Sequence, residues 1–364
     1  MSKITSIATR NPPHAHSQQM LGEFADAVYC NDAAESRKLK FLYRHSGINN
    51  RYSVLRDFSA PAAERTFFSG SQDDEPLPDL EERMKLYNSS SLELSVKTIE
   101  ACIHGHIDAG EITHLITVSC TGMSAPGLDL QVMEAMNLSP SLQRTSVNFM
   151  GCYAAIHGLK LAHAFCCAYP QAKVIVVCTE LCTLHFQKEI NQNNILASML
   201  FSDGCGAMLV QNTKKEKGFN LHHFFSQVSF SGKADMSWEL SGKGFLMTLT
   251  GYVPELIKAD FENLVGNALQ PAGKTKKDIT HWCVHPGGKK ILQVIEESMQ
   301  LNNAELQYSH EVLRDFGNMS SASIVFVLEK ILQELRESGA ETAEVFGAAF
   351  GPGLTMETFL ATYD

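Results

Sequence analysis

The sequence predicts a mixed α/β fold in two halves, and three observations carry that reading. Short runs rich in β-branched and aromatic residues alternate with longer segments of helical apolar spacing along the whole chain. A charged break, Lys214-Lys215-Glu216-Lys217-Gly218, interrupts the alternation, which then resumes. A length of 364 residues, with 44% hydrophobic and 19% charged side chains, fits one large folded unit or two closely packed domains. The boundary is therefore set between an N-terminal half, 1–213, and a C-terminal half, 214–364.

In the N-terminal half, residues 4–9 read as a strand ended by Asn11-Pro12-Pro13, and 18–29 carry the helical spacing of Met20, Leu21, Phe24, Ala27 and Val28. A basic stretch follows, Arg37, Lys38, Lys40, Arg44, His45, Arg51 and Arg56, whose plain reading is a solvated helix face. Residues 59–78, rich in Ser, Pro, Asp and Glu, read as an exposed loop, and a helix resumes over 91–104. Residues 112–118 form a short strand before the glycine-punctuated loop 120–127. A β-rich run then ends at Gly151, Cys152 follows, and a helix is expected over 153–168. Strands at 172–178 and 206–211 complete this half. The C-terminal half offers strands near 221–228, 280–284, 345–349 and 356–363, with apolar helices beginning near Ile291 and Ile324.

Charge and cysteine usage exclude several functions. A formal net charge of −10 argues against non-specific nucleic-acid binding, and an anionic substrate would need a local basic patch. Ten cysteines without a disulfide-framework spacing suit reduced thiols in the cytoplasm. No apolar run is long enough to span a bilayer, and the N-terminus lacks the apolar core of a signal peptide, so no membrane association is expected. The close histidine pairs, His104 with His106 and His222 with His223, lack the Cys or carboxylate partners of a zinc site, so no metal is expected.

Three corners, each just before a helix, carry reactive groups. Cys152 stands where a helix begins, where unpaired N–H groups and partial positive charge favour thiolate over thiol. His285, in Trp282-Cys283-Val284-His285-Pro286-Gly287-Gly288, is held where Pro286 blocks a strand from continuing. Asn318, in Phe316-Gly317-Asn318-Met319-Ser320-Ser321-Ala322, precedes another apolar helix. Singly, each has a structural reading: a cysteine packed as a small hydrophobe, a histidine satisfied at a turn, an ordinary helix cap. Together they supply a nucleophile, a base and an amide donor.

The motifs Gly151-Cys152-Tyr153-Ala154, His285-Pro286-Gly287-Gly288, Gly317-Asn318-Met319-Ser320-Ser321 and Phe350-Gly351-Pro352-Gly353-Leu354 resemble those of type III polyketide synthases, the chalcone and stilbene synthase family and its bacterial relatives. The likeness runs nearly end to end. It includes Arg44-His45-Ser46-Gly47-Ile48, Cys120-Thr121-Gly122 and Leu200-Phe201-Ser202-Asp203-Gly204. The resemblance implies a thiolase-like fold, two related halves in five αβαβα layers, a homodimer, and catalytic Cys152, His285 and Asn318. It implies no cofactor: acyl-CoA and malonyl-CoA serve as substrates.

By the same resemblance Phe201 gates the coenzyme A tunnel, and Met247 stands where relatives carry a second phenylalanine, a flexible replacement that loosens the gate. Cys120, Thr121, His185, Trp238 and Ser320 would line the cavity, with Trp238 and His185 in place of smaller residues. Ala125 would be the loop tip that reaches a partner subunit, the loop around Gly353 a cavity wall, and Lys38, Arg44 and His45 contacts for coenzyme A phosphates. The expected reaction is iterative decarboxylative condensation of malonyl-CoA onto an acyl group held on Cys152, then cyclisation to a pyrone, resorcinol or phloroglucinol type of product. Two rivals are weighed beside it. One is a ketoacyl synthase III-like enzyme that condenses once, with or without an acyl carrier protein. The other is a non-catalytic acyl-binding protein.

Overall fold

The computed structural model describes residues 2–68 and 77–364. The centre of the loop expected over 59–78 thus lies outside the described residues. In the N-terminal half the elements are β1 (Ser2–Arg10), β2 (His14–Ser17), α1 (Gln18–Tyr29), α2 (Ala33–His45), β3 (Asn50–Ser53), α3 (Leu80–Ile103), β4 (His114–Ser119), α4 (Leu128–Ala135), β5 (Gln143–Asn148), α5 (Ala154–Ala168), β6 (Lys173–Leu181), α6 (Gln192–Leu200) and β7 (Asp203–Gln211). The C-terminal half follows with β8 (Phe219–Val228), β9 (Met236–Ser241), β10 (Gly244–Leu249), α7 (Val253–Leu269), β11 (His281–Val284), α8 (Lys289–Met299), α9 (Gln307–Phe316), α10 (Ala322–Glu337), β12 (Ala343–Gly351) and β13 (Thr355–Tyr363).

The two halves share a strand plan. In the first, β4 lies parallel between β5 and β6, β7 runs antiparallel to β6, and β1 antiparallel to β7. In the second, β11 is parallel to β12, β13 antiparallel to β12, and β8 antiparallel to β13. A short antiparallel pairing of β1 with β8, Ser2 opposite Leu221 to Ile4 opposite Phe219, joins them into nine strands ordered β11-β12-β13-β8-β1-β7-β6-β4-β5. Helix α10 packs on β1 and β7 of the first half and on β11 of the second, and α5 reaches β4, β6 and β13. Both lie between the halves, while α3 covers one outer face and α7 with α8 the other. This is the five-layered αβαβα arrangement that the resemblance implies.

Burial explains why the strands read as continuous apolar runs. β4 and β6 are covered on both faces, and all of β4 is buried. Beyond Lys173 at its start, β6 carries the charge of Glu180, which is fully buried. α8 shows the opposite pattern: Ile291, Leu292, Val294, Ile295 and Met299 bury one stripe and the remainder faces water.

Three sequence expectations need correction. α3 begins at Leu80, eleven residues before the expected start at 91, behind a capping box in which Asp79 and Glu82 satisfy each other's backbone N–H. Its first turns look polar because Arg83 sits among them. That side chain is nevertheless fully buried, donating to the carbonyls of Pro78, Leu184 and Phe186. The basic stretch divides as well: Lys38, Arg44 and His45 are exposed on α2, whereas Arg51 on β3 is only 4% exposed. At the cysteine corner, β5 ends at Asn148 rather than running to Gly151, and α5 starts at Ala154 rather than 153, so Cys152 lies on a turn between them.

Candidate active site

The turn that carries Cys152 is set by backbone conformation. Phe149 and Gly151 both have positive φ, 60° and 85°. A Cβ at Gly151 would come within 2.2 Å of Pro352 Cδ, and one at Gly351 within 2.5 Å of the Tyr153 ring. The cysteine turn and the loop after β12 therefore interlock at two glycines, and only residues without a Cβ fit so close an approach.

His285 directly follows β11, its own N–H donating to the Ala348 carbonyl at 2.8 Å. It is 1% exposed, yet neither ring nitrogen has a hydrogen-bond partner among the described residues, which argues against a histidine satisfied at a turn. Burial pushes its pKa down to about 3, so the ring is neutral, with one donor and one acceptor nitrogen. Asn318 is not the cap of α10, a position taken by Ser321. Its Oδ1 accepts the Ser320 N–H at 2.9 Å and its Nδ2 donates to the Gly287 carbonyl at 3.1 Å. The amide's orientation is thereby fixed, and its second N–H remains for a ligand.

The structure brings these three together. Cys152, His285 and Asn318 line one cavity, together with Cys120, Thr121, Phe201, Met247, Trp238 and Ser320. Met247 and Trp238 are cross-strand partners on the β9–β10 ribbon, so the flexible replacement and the bulky one stand side by side. Four of the wall residues, Cys182, Phe201, Trp238 and Met247, also line a second internal space.

Other expected residues fall elsewhere. His185 lines only the second space. Its Nδ1 accepts the Phe245 N–H at 3.1 Å, so Nε2 carries the proton and donates to the Thr121 carbonyl at 2.7 Å. Trp238 Nε1 donates to the neighbouring Cys120 carbonyl at 2.6 Å. These two aromatic side chains therefore pin the 120–121 backbone. Gly353 does not line the cavity; Pro352 does, because the chain turns away at Gly353 in a left-handed conformation. Lys38, Arg44 and His45 line neither space, since α2 presents them to solvent.

The expectation of a depressed cysteine pKa is overturned. Burial pushes the Cys152 thiol up to about 12, and the Glu180 charge adds to the rise, while the Ser320 hydroxyl and the Asn318 amide pull the other way. No hydrogen bond joins Cys152 to His285 among the described residues, and the imidazole carries no charge that would favour a thiolate. In the unliganded cavity desolvation outweighs the partial charge of the nearby helix start.

The sequence reading missed Glu180. Its carboxylate accepts from the Cys120 N–H at 3.0 Å, the Thr121 hydroxyl at 2.8 Å and the Ser321 hydroxyl at 2.5 Å. Burial raises its pKa and these donors lower it. A lone acid within the apolar run of β6 is the signal that could have marked it.

Comparison with known proteins places nearly the whole chain in one family. Residues 1–213 match the family described as chalcone and stilbene synthases, N-terminal domain, and residues 221–362 match the C-terminal domain of the same family. The α-pyrone synthesis polyketide synthase-like Pks18 of Mycobacterium tuberculosis is 32% identical over 98% of this chain and 90% of its own length. Type III polyketide synthase C of Arabidopsis thaliana is 28% identical over 98% of this chain and 94% of its own. Among solved structures, PKS-I from the brown alga Ectocarpus siliculosus superposes with a TM-score of 0.90 at 23% identity, covering 100% of this chain and 98% of that one. The C-terminal type III polyketide synthase domain of Steely1 from Dictyostelium gives 0.88 at 25% identity, covering 100% and 99%.

Proposed function

The chain belongs to the chalcone and stilbene synthase family, the type III polyketide synthases, acyltransferases of thiolase-like fold that condense malonyl-CoA, and we propose how its residues divide that work. Cys152 is the nucleophile, His285 its proton acceptor, and His285 with Asn318 the donors to developing negative charge. The observation that carries this reading is the single buried cavity that all three line, with both His285 ring nitrogens unpartnered.

The neutral pair sets the order of events. The Cys152 proton passes to His285 as the sulfur adds to the acyl-CoA carbonyl, and coenzyme A leaves as its thiol with that proton. Moving the proton within the reaction suits a thiol near 12 and an imidazole near 3 better than a standing ion pair. Malonyl-CoA then loses CO₂, and the electron pair collects on its thioester oxygen. The N–H of neutral His285 and the free N–H of Asn318 hold that oxyanion, each worth ~3 kcal/mol at the transition state. The enolate carbon attacks the Cys152 thioester, the sulfur leaves and is reprotonated, and the product is a coenzyme A thioester two carbons longer. Repetition, and ring closure against the Pro352 wall, complete the proposed sequence.

Phe201 and Met247, which line both internal spaces, fit a gate. Lys38, Arg44 and His45 fit phosphate contacts because α2 leads into Gly47, where a Cβ would come within 3.3 Å of Lys289 Cβ. Lys289 opens α8, two residues from cavity-lining Gly287. A homodimer is supported by the exposed loop tip at Ala125, the exposed Met123 and Leu130, and β5 at the sheet edge. The halves 1–213 and 214–364 are read as one catalytic unit, since each supplies part of the cavity. A reducing compartment such as the cytoplasm suits ten free cysteines, and no described helix is long and apolar enough to cross a membrane.

The test is incubation of purified protein with acyl-CoAs of graded length and malonyl-CoA, without any carrier protein, read by mass spectrometry. Products extended more than once are expected. Single condensation, or dependence on an acyl carrier protein, would transfer the assignment to a ketoacyl synthase III-like enzyme.

A further inference from the structure

Each round of the proposed chemistry needs a proton that neither substrate brings. Acylation is balanced: the Cys152 proton passes through His285 and departs on coenzyme A. Condensation is not. Malonyl-CoA loses CO₂ without releasing a proton, and the enolate electron pair becomes the new carbon–carbon bond. The pair of the broken thioester bond stays on Cys152, as a thiolate. One proton must therefore enter the site per extension. His285, neutral at this stage, can pass a proton on but adds none. The need is acute because burial disfavours the thiolate, the thiol being pushed up to about 12.

A continuous line of polar side chains leads from this sulfur through the interior. The Ser320 hydroxyl serves Cys152 as a donor and lies 3.1 Å from Cys120 Sγ. Cys120 Sγ is in turn 3.4 Å from Glu180 Oε1. Glu180 Oε2 accepts from the Ser119 hydroxyl at 3.5 Å, and Ser119 Oγ accepts from the Tyr87 hydroxyl at 2.7 Å. All five residues are buried, none more than 4% exposed. Tyr87 and Ser119 nevertheless also line an outer groove, beside the exposed Arg144, Ser146 and Asn148 of β5. In the homodimer proposed above, that groove runs along the edge strand, and subunit interfaces are routinely wet. Every link is a hydroxyl, a thiol or a carboxyl, groups that can both take and give a proton. A carboxylate is a costly brace for the 120–121 backbone if bracing is its only work. Burial raises the Glu180 pKa, so this carboxyl holds a proton more readily than one in water.

We propose that Tyr87, Ser119, Glu180, Cys120 and Ser320 form a proton relay that restores the Cys152 thiol after each condensation. The proposal rests on the reading of Cys152 as the acyl carrier. Ser320 gives its hydroxyl proton to the thiolate and takes the thiol proton of Cys120. The Cys120 sulfur takes the carboxyl proton of Glu180, which is recharged through Ser119 and Tyr87 from water in the groove. One proton crosses and nothing is oxidised or reduced. Without it, the thiolate adds back to the new ketone and breaks the bond just made. The enolate so released takes a proton at carbon and leaves as acetyl-CoA. A broken relay therefore forms acetyl-CoA and CO₂ at the expense of extended product.

The test compares Cys120→Val with Cys120→Thr, side chains of one shape of which only threonine can relay a proton, and adds Glu180→Gln. Acylation of Cys152 by octanoyl-CoA, with acetyl-CoA as a second starter, is followed by intact-protein mass spectrometry. Malonyl-CoA is then added, and extended product and acetyl-CoA are measured together. All three variants should acylate at the wild-type rate, since that step needs no external proton. Cys120→Val and Glu180→Gln should lose about 10²-fold in kcat for extended product, with KM for malonyl-CoA unchanged and more acetyl-CoA formed per extension. Cys120→Thr should stay near wild type in all three measures. Equal extension by the Val and Thr variants, or a Glu180→Gln protein that loses acylation and extension alike, overturns the relay and leaves Cys152 as carrier. Should Glu180→Gln fail to fold, the Val and Thr pair decides alone. A wild-type protein that takes no acyl adduct from either starter removes the carrier reading, and the relay falls with it.

Discussion

The two halves of this protein share a strand plan but hold their reactive groups by different means. In the N-terminal half, Cys152 is placed by backbone: two positive φ values and two glycines pressed against opposing side chains. In the C-terminal half, Asn318 is placed by hydrogen bonds to Ser320 and Gly287, and His285 by its position just after β11, with ring nitrogens that have no hydrogen-bond partner among the described residues. The contrast follows from the work proposed for each. A nucleophile that carries a growing chain needs a fixed sulfur, whereas a group that accepts and returns a proton needs open nitrogens.

The strongest way to break this comparison is at Asn318. Asn318→Ala removes the oriented N–H and should lower condensation about 10²–10³-fold while Cys152 still accepts an acyl group, as measured by product formation against adduct formation. Equal loss of both would mean that Asn318 supports the cysteine turn instead. Gly151→Ala probes the other side. At φ 85°, with Pro352 Cδ 2.2 Å from the new Cβ, it should cost ~2–4 kcal/mol and lower Tm by several degrees. Gly288→Ala, in extended backbone with its nearest neighbour at 3.7 Å, should cost under ~1 kcal/mol. Similar losses at both glycines would erase the distinction between the halves.

Two pH experiments sharpen it. With the Cys152 thiol pushed up to about 12, its thiolate fraction grows tenfold per pH unit below that value. Iodoacetamide alkylation of Cys152 in the free enzyme should therefore rise without a plateau between about pH 7 and 10; a plateau below pH 8 would mean a standing thiolate. The smallest effect concerns stability. His285 titrates near 6.5 in the unfolded chain and near 3 in the folded one, so below pH 6.5 only the unfolded state takes up this proton. The stability contributed above 6.5 is lost as pH falls toward 3, at ~1 kcal/mol per unit, and denaturant unfolding of His285→Gln should lack that part of the slope. Parallel profiles for the two proteins would show that the ring is not held neutral by burial.

Much of this site was legible in the sequence. The three reactive corners, the helix that follows each, and the cavity positions of Phe201, Met247, Cys120, Thr121, Trp238 and Ser320 required only local pattern and a family likeness. What sequence reading missed were charges whose burial contradicts their type. Arg83 disguised the start of α3, Arg51 looked like part of a solvated basic face, and Glu180 was hidden in an apolar strand, although each is buried. Local pattern assigns such residues to the surface because it cannot see which distant carbonyls and hydroxyls will satisfy them. The cysteine pKa failed for a related reason: a helix start favours thiolate, but the degree of desolvation is set by residues that only the folded chain brings together.

The most direct measurement separates the two halves of the proposed reaction in one protein. Cys152→Ala, given malonyl-CoA and an acyl-CoA starter, should still release CO₂ and form acetyl-CoA, because His285 and Asn318 remain, and should make no extended product and carry no acyl adduct. Condensation by that variant at the wild-type rate would show that the sulfur of Cys152 does not carry the chain, and the account would fail at its centre.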